Sequence, residues 1–136
     1  MSENGISMIT FSERIKREEA TLILCVDEYG YKFGTLQFED WMPRKKFFGT
    51  GESFVFSFKT GDEVNVYNGT GKNQMYQYMD STCIGVGGDA TGGSRFAFYL
   101  GDDFYRGSST KTRCYDNEVL SHNSDFLCTE LEIWGF

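Results

Sequence analysis

Only one proline and one histidine occur in this 136-residue chain. With a single Pro, and with 16 Gly that follow no period of three, collagen-like sequence is excluded. The one histidine, His122, lies in the polar run Ser121-His122-Asn123-Ser124-Asp125. No Gly-x-Ser-x-Gly elbow accompanies it, so it reads as a solvated loop residue rather than a catalytic base. Basic residues are in the minority, with 13 Lys+Arg against 20 Asp+Glu and a formal net charge of -7. Such a surface repels phosphate backbones and anionic membranes unless a basic stripe is segregated on one face. The nearest candidate is Arg44, Lys45 and Lys46, too short a patch to carry nucleic acid. No apolar run approaches the roughly 20 residues of a membrane helix, so membrane insertion is not expected.

Cysteine is also sparse. Cys25, Cys83, Cys114 and Cys128 include no pair spaced as CxxC, so a zinc knuckle is not indicated. The start, Met1-Ser2-Glu3-Asn4-Gly5, lacks the basic and apolar regions of a signal peptide. A reducing, cytoplasmic setting with free thiols is the corresponding expectation. Asn68-Gly69-Thr70 matches a glycosylation sequon but reads as a tight turn in that setting.

Aromatic residues, by contrast, are abundant at 17% of the chain. They exclude disorder, because disordered chains lack the side chains that bury surface. The length fits one domain spanning 1–136.

Periodicity then assigns the elements. Met8, Phe11 and Ile15 fall on one helix face, with Ser7 as N-cap. Thr21 to Asp27 is a buried strand, and Tyr31 to Phe38 returns across a turn at Tyr29-Gly30. A connection holding Pro43 leads to Ser53–Lys59, where Phe54, Phe56 and Phe58 share a face at period two. Further strands are Glu63 to Tyr67, Gln74 to Met79, Cys83 to Val86, Arg95 to Leu100 and Phe104 to Ser108. Gly87 to Gly93 reads as a loop, and Thr110 to Asp125 as a polar surface excursion. The last strand runs from Phe126 to Trp134, with Leu127, Leu131 and Ile133 facing one way and Glu130 and Glu132 the other. About eight or nine short strands at this spacing predict a mainly β fold: a two-sheet antiparallel β-sandwich flanked by one or two helices.

Few constellations suggest chemistry. Glu130 and Glu132 would lie about 6.5–7 Å apart on one strand face, a spacing that inverting glycosidases use and that ordinary alternation also produces. Gly85-Val86-Gly87-Gly88 lacks the Lys-Ser/Thr of a phosphate loop. Cys114 follows Lys111 and Arg113, which would favour a reactive thiolate. Trp41, Tyr76 or Tyr78 could stack on a sugar, making a carbohydrate-binding module an alternative.

One block is more specific. Phe47-Phe48-Gly49-Thr50-Gly51-Glu52-Ser53-Phe54-Val55-Phe56 resembles the F-[FY]-G-T-G-E-x-F-[VL]-F block of the TLDc domain, found in oxidation-resistance proteins and their relatives. Other segments follow in the family's order. Gly5-Ile6-Ser7 resembles its helix start, and Leu22 to Gly34 its L-L-x-I-x-D-x-x-G-x-x-F-G hairpin. Met79-Asp80-Ser81, Gly85 to Gly88, Phe98 to Ser108 and the closing Glu130-Leu131-Glu132-Ile133-Trp134-Gly135-Phe136 complete the likeness over residues 5–136. Departures include Val86 within the glycine run and Arg106 where the family often has His. The family's further N-terminal segment, with a Trp and a Leu-Tyr pair, is expected to be missing.

The resemblance implies a β-sandwich with flanking helices, no cofactor and no assigned reaction. It implies a protein-interaction domain linked to oxidative-stress resistance, which binds the soluble sector of the vacuolar proton-pumping ATPase. An antioxidant or hydrolytic enzyme is the alternative, and a monomer is expected. Gly49, Thr50, Gly51 and Glu52 would form a loop presenting a carboxylate, ordered by the Thr50 hydroxyl. Asp80, Ser81, Gly87 and Gly88 would form a second loop. Glu130, Glu132 and Trp134 would contribute from the last strand, with Trp134 filling core and Asp80 capping a turn in the plainer reading.

Overall fold

The computed structural model describes residues 20–39, 41, 46–60, 63–80, 82–88, 96–101 and 103–135. The expected N-terminal helix, Pro43, Arg44, Lys45 and the loop from Asp89 lie outside these residues, and no described residue is helical.

Nine strands form in chain order: β1 Thr21–Asp27, β2 Lys32–Gln37, β3 Phe54–Thr60, β4 Glu63–Asn68, β5 Gln77–Asp80, β6 Cys83–Gly88, β7 Phe96–Gly101, β8 Arg106–Ser108 and β9 Asp125–Gly135. They make one antiparallel sheet in the order β4-β3-β2-β1-β9-β8-β7-β6-β5. Hydrogen bonding therefore does not divide the strands into the two separate sheets expected. The reason is the length of β9. Its first residues pair with β8, Phe126 opposite Gly107, and its remainder pairs with β1, Ile133 opposite Ile23. One strand thus belongs to both arms.

The sheet is not flat. β2 and β7 are four steps apart in the strand order, about 19 Å in a flat sheet. Yet the rings of Phe33 on β2 and Phe98 on β7 lie 5.7 Å apart, edge to face. Phe126 on β9 completes the group at 4.8 Å from Phe33. The sheet curls until its two arms face one another across an aromatic core.

β1 shows why these residues make strands. Its alternate residues Ile23, Cys25 and Asp27 are buried, while Leu22, Leu24 and Val26 are half-buried on the other face. β-branched and aromatic side chains fit this pleated, half-covered surface. β9 departs from simple alternation. Val26 pairs with Glu130 but Asp27 pairs with Cys128, so Thr129 is an extra residue, a β-bulge. Its hydroxyl donates to Val26 O at 3.0 Å and Asp27 O at 3.2 Å. The bulge reverses the side-chain parity. Phe126 and Cys128 face the core before it, and Leu131 and Ile133 after it. Leu127 consequently does not share a face with Leu131 and Ile133, contrary to the period-two reading.

Two other expectations are corrected. Gly87 and Gly88 are the end of β6 rather than part of a loop. The segment between β8 and β9 is no surface excursion: Cys114, Tyr115, Asn117, Leu120 and Ser121 are buried in it. Thr112, Asn117 and Ser121 turn inward, with bonds to each other or to the backbone, while Lys111, Arg113, Asp116 and Glu118 stay exposed. Thr112 Oγ1 donates to Asn117 Oδ1 at 2.7 Å, and Asn117 Nδ2 donates to Thr110 O at 2.9 Å.

Candidate functional site

The loop from Gly49 to Glu52 leads into β3. Phe48 and Gln77 exchange backbone hydrogen bonds of 2.8 and 2.7 Å, tying the loop to β5. Gly49 has a φ of 106°, a left-handed conformation that glycine adopts without steric cost. Ser53 locks the loop's end, its hydroxyl donating to Thr50 O at 2.8 Å. It is therefore the Thr50 carbonyl that orders the turn. The Thr50 hydroxyl, expected in that role, is buried without a hydrogen-bond partner among the described residues. Gly51 and Glu52 are exposed at the tip.

Beneath the loop lies a buried polar chain. Gln37 Nε2 donates to Tyr115 Oη at 3.1 Å, and Tyr115 Oη lies 2.7 Å from Ser53 Oγ. Because the Ser53 proton goes to Thr50 O, the Tyr115 hydroxyl is the donor to Ser53. Burial pushes the Tyr115 hydroxyl well above its ordinary pKa, so it remains a donor.

Asp80 ends β5 and caps the turn to β6. It accepts from Thr82 N at 2.7 Å, Thr82 Oγ1 at 2.6 Å, Cys83 N at 3.1 Å and Tyr78 Oη at 2.8 Å. Burial alone would raise its carboxyl, but the hydrogen bonds led by Thr82 outweigh it and hold the pKa at about 2. Ser81 lies outside the described residues. Gly87 and Gly88 do not join Asp80 in one loop. Gly88 is five residues along β6 from Cys83, about 17 Å away. Both glycines serve packing: a Cβ on Gly87 would meet the Tyr115 ring at 2.6 Å, and one on Gly88 would meet the Phe47 ring at 2.5 Å.

Glu130, Glu132 and Trp134 do come together. They pair with Val26, Leu24 and Leu22 and so share the outer face of β9 and β1. Trp134 does not fill core; it is 52% exposed. Beside it an open depression of about 410 Å³ is lined by Leu24, Val26, Lys32, Glu130 and Glu132. The register continues Trp134–Leu22–Leu36–Phe54, which places Trp134 and the Gly49–Glu52 loop toward the same end of the sheet, while Glu130 sits on the Val26–Lys32 row four residues away.

Cys114, Trp41 and Tyr76 do not stand where the chemistry expected of them needs them. Cys114 is buried, and burial pushes its thiol up to about 12, the reverse of the thiolate expected beside Lys111 and Arg113. All four cysteines are buried and free. Trp41 and Tyr76 are buried, so neither presents a ring to a sugar. The Tyr78 ring is packed by Phe47 at 5.4 Å and Phe96 at 6.0 Å.

One cluster escaped the sequence reading. His122 is not a solvated loop residue. Its side chain is 18% exposed, and Nδ1 lies 2.9 Å from Oδ2 of the fully buried Asp27. The His122 backbone N–H donates to the same oxygen at 3.1 Å. Oδ1 of Asp27 accepts from Tyr29 N and Tyr31 N, each at 2.9 Å. Burial would raise this carboxyl, but the bonds from His122, Tyr31 and Tyr29 hold it below its usual value. The Tyr29 ring meets the imidazole edge to face at 4.2 Å. An aspartate orienting an imidazole is part of a catalytic triad. Among the described residues, however, no hydroxyl or thiol is hydrogen-bonded to His122 Nε2. The contact spans 95 positions, and no local pattern announced it.

Comparison with known proteins points to the same family. The chain is 33% identical to rat oxidation resistance protein 1 over 135 residues, covering 98% of this chain and 16% of the rat protein. Human oxidation resistance protein 1 matches at 33% over 135 residues, 98% of this chain and 15% of that protein. Human nuclear receptor coactivator 7 matches at 27% over 135 residues, 98% of this chain and 14% of its own length. The chain thus spans about one-sixth of the curated relatives it matches. No helix among the described residues is long and apolar enough to cross a membrane. The TLDc domain family profile matches residues 1–136 in full, and the chain belongs to the TLDc domain family.

Proposed function

We propose that this chain is a non-catalytic TLDc interaction module serving oxidative-stress resistance in the cytoplasm. Its partner is the soluble sector of the vacuolar proton-pumping ATPase. The observation that carries the reading is the outer face of β9. There an exposed Trp134 shares the strand face with a mixed polar and apolar depression lined by Leu24, Val26, Lys32, Glu130 and Glu132. Aromatic anchors with a polar rim dominate binding energy in protein interfaces. The two carboxylates outnumber Lys32 there and favour a partner surface with basic and apolar groups. Glu52, exposed before β3, lies toward the Trp134 end of the sheet.

Burial of the four thiols supports a binding role over peroxide chemistry, because the thiolate is the reactive form. The test is titration of the monomeric domain into the purified ATPase soluble sector, with binding and ATP hydrolysis followed together. Saturable binding lost in Trp134→Ala and weakened in Glu132→Lys is expected. Equal binding by the wild type and Trp134→Ala overturns the assigned face. Consumption of peroxide or cleavage of a glycoside by the purified chain would favour the enzymatic alternative.

A further inference from the structure

The cluster around His122 has the composition and spacing of a metal site. We propose that Asp27 Oδ2, Glu28 Oε1 and His122 Nδ1 bind a divalent transition ion of the zinc class, with water completing the coordination. This reading is independent of the interaction surface on β9.

Distance is the first argument. Tetrahedral ligands about 2.0–2.1 Å from zinc stand about 3.3 Å from each other. His122 Nδ1 is 2.9 Å from Asp27 Oδ2 and 3.7 Å from Glu28 Oε1, so the two separations bracket that value. All three ligand atoms lie within 4.8 Å of one another. One imidazole nitrogen with two carboxylate oxygens suits zinc, cobalt or nickel better than calcium or magnesium, which take oxygen alone.

Orientation is the second. Metal ligands are held by an outer set of hydrogen bonds, and here backbone amides supply it. Asp27 Oδ1 is fixed by Tyr29 N and Tyr31 N, which aims Oδ2 at the imidazole. Glu28 Oε1 is fixed by Leu127 N at 2.9 Å. The Thr129 bulge, bonded to Val26 O and Asp27 O, holds β9 against this corner. Both carboxylates are thus placed before any ion arrives. The Glu28 side chain is 31% exposed and His122 is 18% exposed, so two of the three ligands reach the surface.

Binding requires one proton movement. In the metal-free arrangement Nδ1–H donates to Asp27 Oδ2. The ion takes the place of that proton. A neutral imidazole keeps it at Nε2, and a protonated one releases one proton to water. The backbone bond from His122 N to Oδ2 is unaffected.

The chain holds a single histidine, which makes the test direct. Zinc is titrated into the full, untagged chain while the one imidazole is followed in a long-range proton–nitrogen NMR spectrum. One ion per chain is expected, with the Nδ1 resonance moving and Nε2 becoming the protonated nitrogen. In parallel, Co²⁺ titration reports the ligand set optically. Glu28→Gln, which keeps shape and backbone contacts, is expected to weaken binding at least about tenfold with unchanged circular dichroism. His122→Ala should abolish it. A shift at Nε2 instead of Nδ1, a sulfur-to-cobalt charge-transfer band, unchanged binding in Glu28→Gln, or no saturable binding overturns the proposal.

Discussion

Tyr115 and Ser53 stand 62 positions apart in the chain, and their hydroxyl oxygens are 2.7 Å apart. The Tyr115 hydroxyl accepts from Gln37 Nε2 on one side and donates to Ser53 Oγ on the other, and Ser53 Oγ–H donates to Thr50 O. The signature loop of the family is thereby connected to the buried segment between β8 and β9. Tyr115→Phe keeps the ring and deletes the relay. It is expected to destabilise the fold by about 1–3 kcal/mol, the cost of leaving buried partners short of a bond. Urea unfolding checks this, with Ser53→Ala showing a coupled rather than additive loss.

Gly87 has a φ of 70° and packs directly on Tyr115. Gly87→Ala meets two obstacles, the left-handed backbone and a ring with no room to retreat. A loss of about 1–3 kcal/mol or more is expected in thermal or chemical unfolding. A neutral result would mean that the Tyr115 ring moves freely.

Acid should act through Asp27 and Asp80. Both carboxyls are lowered in the folded chain, Asp80 to about 2. A lowered folded value stabilises above the unfolded value, near 4, and the contribution is lost as pH falls through the folded value. Unfolding free energy is therefore expected to drop between about pH 4 and pH 2. Asp80→Asn should flatten that slope, as read from denaturant midpoints at each pH.

The thiols offer a simple check on the non-catalytic reading. Burial pushes Cys83 up to about 11 and Cys114 up to about 12, and it raises Cys25 as well. Alkylating reagents at neutral pH should label native chain only as fast as it opens. Immediate labelling of Cys114, located by mass spectrometry, would restore it as a peroxide-reactive candidate.

Much of the fold was legible because strands announce themselves by period two. Phe54, Phe56 and Phe58 marked β3, and the turn at Tyr29-Gly30 separated β1 from β2. What could not be read depended on long-range contact. A bulge at Thr129 is invisible to alternation, so Leu127 was assigned to the wrong face. Around Tyr115 polar groups outnumber apolar ones, which hides from periodicity that Thr112 and Asn117 are buried and bonded to each other and to the backbone. At the site, motif spacing located Glu130, Glu132 and Trp134 correctly on one strand but could not give the exposure of Trp134. His122 and Asp27 meet only after the sheet closes, and neither residue's neighbours hinted at the other.

The double membership of β9 has a consequence for synthesis. Ribosomes release the chain from its N-terminal end, so β1–β4 and β5–β8 leave the exit tunnel before the strand that joins them. Until residues 125–135 emerge, β1 and β8 each present an open edge to solvent. The two arms stay unjoined until β9 arrives, and a chaperone that shields those two edges would guard the interval.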